Sequence, residues 1–224
     1  MALAIFDLDN TLLSGDSDYL WGQYLAEIGV VDADTYETTN RRFYEEYKQG
    51  RLDIFAFLAF SMRPLAENAS EDLLRWRARF IEQKILPLIG EPARELVEDH
   101  RRAGDTLLIV TATNSFVTSP IAELFDIPNL IGTDPEVQDG RFTGRVAGIP
   151  SFREGKVARV QDWLDKTGLT LHDATFYSDS HNDLPLLELV DHPVAVDPDD
   201  TLRNYAQAAG WPIISLHEHA PTSA

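Results

Sequence analysis

Four short apolar runs punctuate the chain: 3–6 (Leu-Ala-Ile-Phe), 106–111 (Thr-Leu-Leu-Ile-Val-Thr), 174–178 (Ala-Thr-Phe-Tyr-Ser) and 193–196 (Pro-Val-Ala-Val). Each is too short for a buried helix, and the first ends directly in Asp7. That pattern predicts buried strands with polar residues at their carboxyl ends. Between them the apolar spacing turns helical. Residues 91–103 predict a helix, with Pro92 in the first turn and Gly104 just past the end. His100, Arg101 and Arg102 fall in its last turn, where cations suit the helix dipole. Strand alternating with helix predicts an α/β fold with a mostly parallel sheet.

Residues 15–87 break the alternation. No strand pattern occurs there; Leu20, Trp21, Tyr24, Leu25 and Ile28 follow helical spacing, as do Leu73, Leu74, Trp76, Phe80 and Ile81. This third of the chain holds 12 of the 22 aromatic residues, which predicts an aromatic-rich helical insert directly after the first strand. The remaining segments, 1–14 and 88–224, then make one α/β core. Val137–Gly144 places Asp-Gly between short β-like runs, a hairpin signal. The tail after about 216 reads as frayed, with His217 and His219 free.

Composition narrows the classes. A chain of 224 residues buries roughly 70–75% of its unfolded surface, so its core needs no covalent staple. With no cysteine there is no disulfide, thiolate nucleophile or thiolate metal site. Nineteen basic residues face 37 acidic ones, a net charge of −18. That balance, without a basic stripe or polybasic segment, argues against nucleic acid and anionic membrane as partners. No basic leader opens the sequence, and no window approaches the roughly 20 apolar residues of a spanning helix. A cytoplasmic protein is expected.

The chemistry sits at the strand ends. Asp7-Leu8-Asp9-Asn10-Thr11 follows the first run, and Tyr177-Ser178-Asp179-Ser180-His181-Asn182-Asp183 follows another. In open α/β sheets ligands bind beyond the carboxyl ends of strands. Strand alternation sends Asp7 and Asp9 to one side. Taken alone, either cluster also reads as an acidic turn capping a helix. Together they suit one hard cation, because magnesium prefers oxygen ligands. Thr111, Ala112, Thr113, Asn114 and Ser115 end a third strand with small, hydroxylated residues that suit an anion, and Lys156 follows Gly155 at a helix start.

The ordered set D-x-D-x-T, strand-ending Thr, Gly-Lys and S-D-x-x-N-D resembles the haloacid dehalogenase superfamily of phosphohydrolases, in its phosphoserine-phosphatase-like branch. The resemblance spans the whole core and implies a Rossmann-like parallel sheet with helices on both faces and a helical cap at 15–87. It implies Asp7 as the nucleophile that forms an aspartyl-phosphate, and Asp9 as general acid and base. Magnesium would be held by Asp7, the Asp9 carbonyl and Asp179; Thr111, Ala112, Lys156 and Asn182 would bind phosphate. Asp183 would position Lys156 or a metal-bound water, and Thr11 would fix the loop. Two departures lie beside the substrate: Thr111-Ala112-Thr113 replaces Ser-Gly-Gly, and Ser178-Asp179-Ser180-His181-Asn182-Asp183 replaces Gly-Asp-Gly-x-Asn-Asp.

The expected substrate is a small phosphorylated metabolite, an amino-alcohol phosphate such as phosphoserine or histidinol phosphate. Asp16, Asp18 or Glu46 would meet its cation; Arg41, Arg42 or Arg51 would meet a carboxylate. Arg75, Arg77 and Arg79 read as a solvated face, and Asp197–Asp200 as a strand exit and helix cap. The alternatives are a phosphatase of another small-metabolite specificity and a receiver-like phospho-acceptor signalling domain, but a receiver has no reason to carry Asp9 or a 70-residue helical insert.

Overall fold

A computed structural model of the chain describes residues 2–217. Strand β1 (Leu3–Phe6) leads into helices α1 (Ser17–Glu27), α2 (Ala33–Lys48), α3 (Ile54–Ser61), α4 (Arg63–Glu67) and α5 (Ser70–Phe80). Helix α6 (Glu91–Ala103) returns the chain to β2 (Thr106–Asn114), followed by α7 (Ser115–Leu124) and β3 (Asn129–Thr133). A hairpin of β4 (Pro135–Gln138) and β5 (Arg141–Val146) precedes α8 (Glu154–Thr167) and β6 (Thr175–Ser178). Short α9 (Leu184–Leu187), β7 (His192–Val196), α10 (Asp200–Ala209) and β8 (Ile213–Ile214) complete the chain.

Six strands form one parallel sheet in the order β3-β2-β1-β6-β7-β8. Its faces are separated by strand alternation. Ala4, Phe6, Leu107 and Ile109 point to one side, where Trp21, Leu58, Phe80, Val117 and Ile121 cover them. Leu3, Ile5, Leu108 and Val110 point to the other, under Val160, Leu164, Leu186 and Leu202. Both faces are buried, which is why the strand sequences read as continuous apolar runs. Each such fully buried side chain contributes roughly 1.5–3 kcal/mol.

Register positions the site. Phe6 lies beside Ile109 on one strand and Tyr177 on the other. Asp7, Thr111 and Asp179 therefore all sit at one edge of the sheet. The helices from Ser17 to Phe80 have their own aromatic contacts, including Tyr36 on Phe60 at 4.4 Å and Phe43 on Phe57 at 5.5 Å. Trp21 ties them to the sheet layer by meeting Phe116 at 6.1 Å. Arg77 is not merely solvated: it stacks on Phe116 at 4.5 Å and donates to its carbonyl at 2.7 Å.

The helix at Glu91–Ala103 starts and stops where its punctuation places it, with Gly104 left-handed at φ 79°. Asp139 and Gly140 take positive φ of 50° and 74° in the hairpin turn, the geometry that Asp-Gly supplies. Strand β2 runs three residues past the apolar run, because Thr113 and Asn114 stay extended. The tail differs from expectation: Leu216 is buried and His217 is hydrogen-bonded, while His219 lies outside the described residues. No helix among the described residues is long and apolar enough to cross a membrane.

Candidate active site

Asp7 extends the sheet pairing by one bond, its N–H donating to Tyr177 O at 2.9 Å. The chain then makes a wide turn over Leu8–Leu12, closed by Leu13 N–H on Leu8 O at 3.0 Å. Inside it Asp9 is extended and Asn10 left-handed, at φ 57°. Asparagine tolerates that region better than most residues. The turn, not strand alternation, therefore sets the direction of Asp9, and the two carboxylates have different partners. Asp9 Oδ1 accepts from Ser17 N–H at 2.6 Å, and Oδ2 accepts from Thr113 Oγ1 at 2.7 Å and Thr111 Oγ1 at 3.3 Å.

Asp7 Oδ1 receives Lys156 Nζ at 2.7 Å, and its Oδ2 receives Thr11 Oγ1 at 3.3 Å. The same Thr11 hydroxyl lies 3.3 Å from Asp179 Oδ1. Lys156 is buried and also bonds Asp183 at 2.7 Å; Asp183 in turn accepts from Ser178 Oγ at 2.7 Å. Gly155 makes the placement of Lys156 possible. A Cβ there would stand 2.1 Å from the Pro150 carbonyl oxygen, so any side chain pushes the start of α8 outward.

Burial drives the Asp7 pKa up to about 7; Lys156 opposes this, and Asp183 and Asp9 add to it. Burial and the neighbouring Asp7 and Asp183 push Asp179 well above the ordinary carboxylate range. Lys156 loses charge stability through burial, but Asp183 and Asp7 outweigh that and raise its pKa. One ammonium thus serves a crowd of carboxylates, a donor set short of positive charge. Among the described residues no three Asp, Glu or His side chains converge on one point. Two carboxylates do approach each other at Thr11, Asp7 and Asp179. This fits a small hard cation that takes two carboxylates, a backbone carbonyl such as that of Asp9, and waters.

A cleft opens over Asp7. Asp9, Asp16, Asp18, Thr111, Ala112, Thr113, Lys156, Asn182 and Asp183 contribute polar groups to it, and Tyr19, Phe43, Tyr44, Tyr47, Phe57 and Phe152 contribute rings. Asp16 also caps α1, accepting from Tyr19 N–H at 2.8 Å. Burial and Asp9 lift the Asp16 pKa to about 7, and burial with Asp16 and Asp9 lifts Asp18 well above its usual value.

Arg41, Arg42 and Glu46 do not line the cleft, contrary to expectation. Arg41 pairs with Glu37 and Arg42 with Glu46 on the outer side of α2, with the arginine side chains 65% and 62% exposed. Arg51 is likewise exposed and bonds Gln49. Asn182 lines the cleft with both side-chain polar atoms already paired: its Oδ1 accepts from Arg153 Nε at 3.0 Å, and its Nδ2 donates to Ser180 Oγ at 3.2 Å.

Three further residues shape the site: Thr113 of the second motif, and Tyr47 and Arg153, which no motif marks. Thr113 shares a strand face with Thr111, so the alternation carried its signal. Tyr47 donates to Ser180 Oγ at 3.1 Å, joining α2 to the Asp179 loop. Arg153, at a positive φ of 50°, donates to Gly50 O and so grips the end of α2 from the core side. No local sequence pattern signals that contact.

A parallel sheet with a buried Asp–Lys–Asp cluster at its carboxyl edge, roofed by helices, defines a hydrolase of the phosphoryl-transfer type. Residues 4–188 match the family of haloacid dehalogenase-like hydrolases, and the chain belongs to that family as a phosphoric monoester hydrolase. It is 48% identical over 218 residues to the histidinol-phosphatase of Neisseria meningitidis serogroup C, covering 96% of this chain and 98% of that one. It is 33% identical over 215 residues to a phosphoserine phosphatase of Mycobacterium tuberculosis, covering 95% of this chain and 70% of the relative. A crystal structure of a protein of unknown function from Bordetella pertussis superposes with a TM-score of 0.91 at 47% identity, covering 96% and 99% of the two chains.

Proposed function

We propose that this hydrolase acts on a small alkyl phosphate bearing an amine, with histidinol phosphate, which adds an aromatic ring, ahead of phosphoserine, and that it requires magnesium. The lining of the cleft carries this reading. Asp16 and Asp18 stand in it, several rings surround them, and no arginine lines it among the described residues. A substrate ammonium or imidazolium would relieve two carboxylates whose pKa values burial has raised. A substrate carboxylate would meet those same two groups with no partner, and an unpaired buried charge is costly. Histidinol phosphate has the amine and the ring without the carboxylate. The relative named histidinol-phosphatase, at 48% identity, supports the same choice.

The chain's residues divide the reaction simply. Lys156 and Thr111 hold oxygens of the phosphoryl group. A carboxylate oxygen of Asp7 attacks phosphorus, the P–O bond to the alcohol breaks, and the alkoxide takes a proton from Asp9. Asp9 then removes a proton from a water that attacks the aspartyl-phosphate, and phosphate leaves while Asp7 is restored. Asp7, the Asp9 carbonyl and Asp179 would hold the magnesium, whose charge lets a carboxylate approach a phosphate dianion. The helices between residues 15 and 87 serve as the cap, with Tyr47 and Arg153 joining it to the core.

The test is kcat/KM with magnesium for histidinol phosphate, phosphoserine, glycerol phosphate and a hexose phosphate. Histidinol phosphate should lead, phosphoserine should follow, and chelator should abolish turnover. A preference for the uncharged esters would discard the substrate reading, and full activity after exhaustive chelation would discard the metal.

A further inference from the structure

The C-terminal segment reaches the loop that carries Asp9. Ile214 pairs with Val196 in the parallel sheet, so the chain leaves β8 at the same edge as Asp7. Beyond it, the N–H groups of Leu216 and His217 both donate to Asp197 Oδ2, at 2.9 and 3.2 Å. Asp197 sits at φ 40°, a region that side-chain-bearing residues rarely adopt, and its carboxylate faces the returning chain. His217 then brings Nε2 to 3.0 Å from the carbonyl oxygen of Asn10, with its side chain 16% exposed. Asn10 is the left-handed residue of the wide turn and directly follows Asp9. Its own N–H donates to Gly15 O at 3.0 Å, so the Asn10 residue is held at both ends.

We propose that His217 is a positioning residue for Asp9. The Nε2–H bond to the Asn10 carbonyl keeps that peptide in its left-handed turn, and the turn fixes where the Asp9 carboxyl stands. Asparagine tolerates this turn at little cost, and the Nε2–H bond adds the worth of one hydrogen bond to holding it there, beside the Asn10 N–H bond to Gly15 O. Relaxation of Asn10 toward the helical region would swing Asp9 away from Ser17 N–H and the Thr113 hydroxyl. The residue lies far from the motifs in sequence, and no spacing rule points to it.

The inference rests on Asp9 being the acid that protonates the leaving alcohol, and the test separates the two. Full-length His217→Phe, His217→Gln and Asp9→Asn are assayed with magnesium on two esters. One is the alkyl ester hydrolysed fastest in the panel above; the other is p-nitrophenyl phosphate, whose leaving group needs little protonation. Asp9→Asn should lose far more kcat/KM on the alkyl ester than on the aryl ester. His217→Phe, which fills the ring volume without a donor, should show the same asymmetry. Its loss should be about tenfold or more on the alkyl ester and about twofold on the aryl ester, within the range for a misplaced catalytic group. Glutamine keeps a side-chain N–H at similar reach and should recover most of the loss. Melting temperatures should stay near the parent value in both His217 variants. Equal losses on both esters, no loss at all, or no recovery by glutamine in a folded protein would overturn the role of His217. If Asp9→Asn shows the asymmetry and His217→Phe does not, only this inference falls; if Asp9→Asn lacks it, the acid assignment fails as well.

Discussion

Replacing Lys156 by methionine keeps an unbranched side chain one atom shorter and removes the charge on which the Asp7 and Asp183 carboxylates both depend. The lysine side chain is 4% exposed, and those of Asp7 and Asp183 are 8% and 3% exposed, so solvent screens little of the loss. Removing one partner of a buried ion pair costs about 3–5 kcal/mol. A stranded carboxylate can limit that cost by taking up a proton. From an ordinary pKa near 4, protonation at pH 8 costs about 5 kcal/mol and at pH 5 about 1.4 kcal/mol, at 1.36 kcal/mol per unit. The stability deficit should therefore approach its full size at pH 8 and shrink to about 1–3 kcal/mol at pH 5. The sign follows from linkage: with the ammonium gone, the folded variant binds more protons on these carboxylates than the folded parent, so the deficit grows as pH rises. At about 2–4 °C per kcal/mol for a chain of this size, the melting temperature should drop by roughly 6–20 °C at pH 8. Thermal unfolding of metal-free protein at the two pH values measures this, beside kcat on the preferred ester, which should fall at least about 10²–10³-fold. A deficit below about 1 kcal/mol at pH 8, or the same deficit at both pH values, would refute the claim that the lysine neutralises this cluster.

Asp18→Asn should raise KM for the amine-bearing ester about tenfold and leave p-nitrophenyl phosphate unchanged, because the aryl ester brings no cation. Asp18 is the better probe than Asp16, whose carboxylate also caps α1; equal effects on both esters would contradict the cation site. Gly155→Ala should displace the start of α8 and cost about 10²-fold in kcat/KM, since its Cβ meets a backbone oxygen that cannot yield; wild-type activity would show that α8 moves freely. Metal-free protein should lose stability as pH rises from about 4 to 7, because burial raises the Asp7 and Asp16 pKa values to about 7 and the folded state holds their protons until then. Magnesium should diminish that loss by occupying Asp7, read as melting temperature against pH with and without the ion; identical curves would contradict a cation site at Asp7.

Much of the sheet was legible because strands buried on both faces are written as uninterrupted apolar runs. Strands β3 and β8 carry too little pattern to be read: Asn129–Thr133 has only Leu130 and Ile131 as large apolar residues, and β8 has two residues in all. The helix at 91–103 was legible to the residue because Pro92 and Gly104 punctuate it locally. The carboxylates and Lys156 were found as a motif set, while the geometry that separates Asp9 from Asp7 depends on one left-handed asparagine. Arginines 41 and 42 were misplaced for a reason the sequence itself contains. Asn40, Phe43, Tyr44 and Tyr47 follow one helical stripe and line the cleft, and the arginines lie off it. Arg153 and His217 had no local signal, because their partners Gly50 and Asn10 stand 103 and 207 residues away.

The most direct test is whether Asp7 receives the phosphoryl group. On the proposed mechanism Asp9→Asn would lack the base that hydrolyses the intermediate, so phosphate should accumulate on the enzyme during turnover of an aryl ester with magnesium. Acid quenching followed by peptide mass mapping should find the phosphoryl group on the peptide that carries Asp7, at near-stoichiometric occupancy and labile to hydroxylamine. Turnover with the label absent from that peptide, or with the label on another residue, would contradict the account.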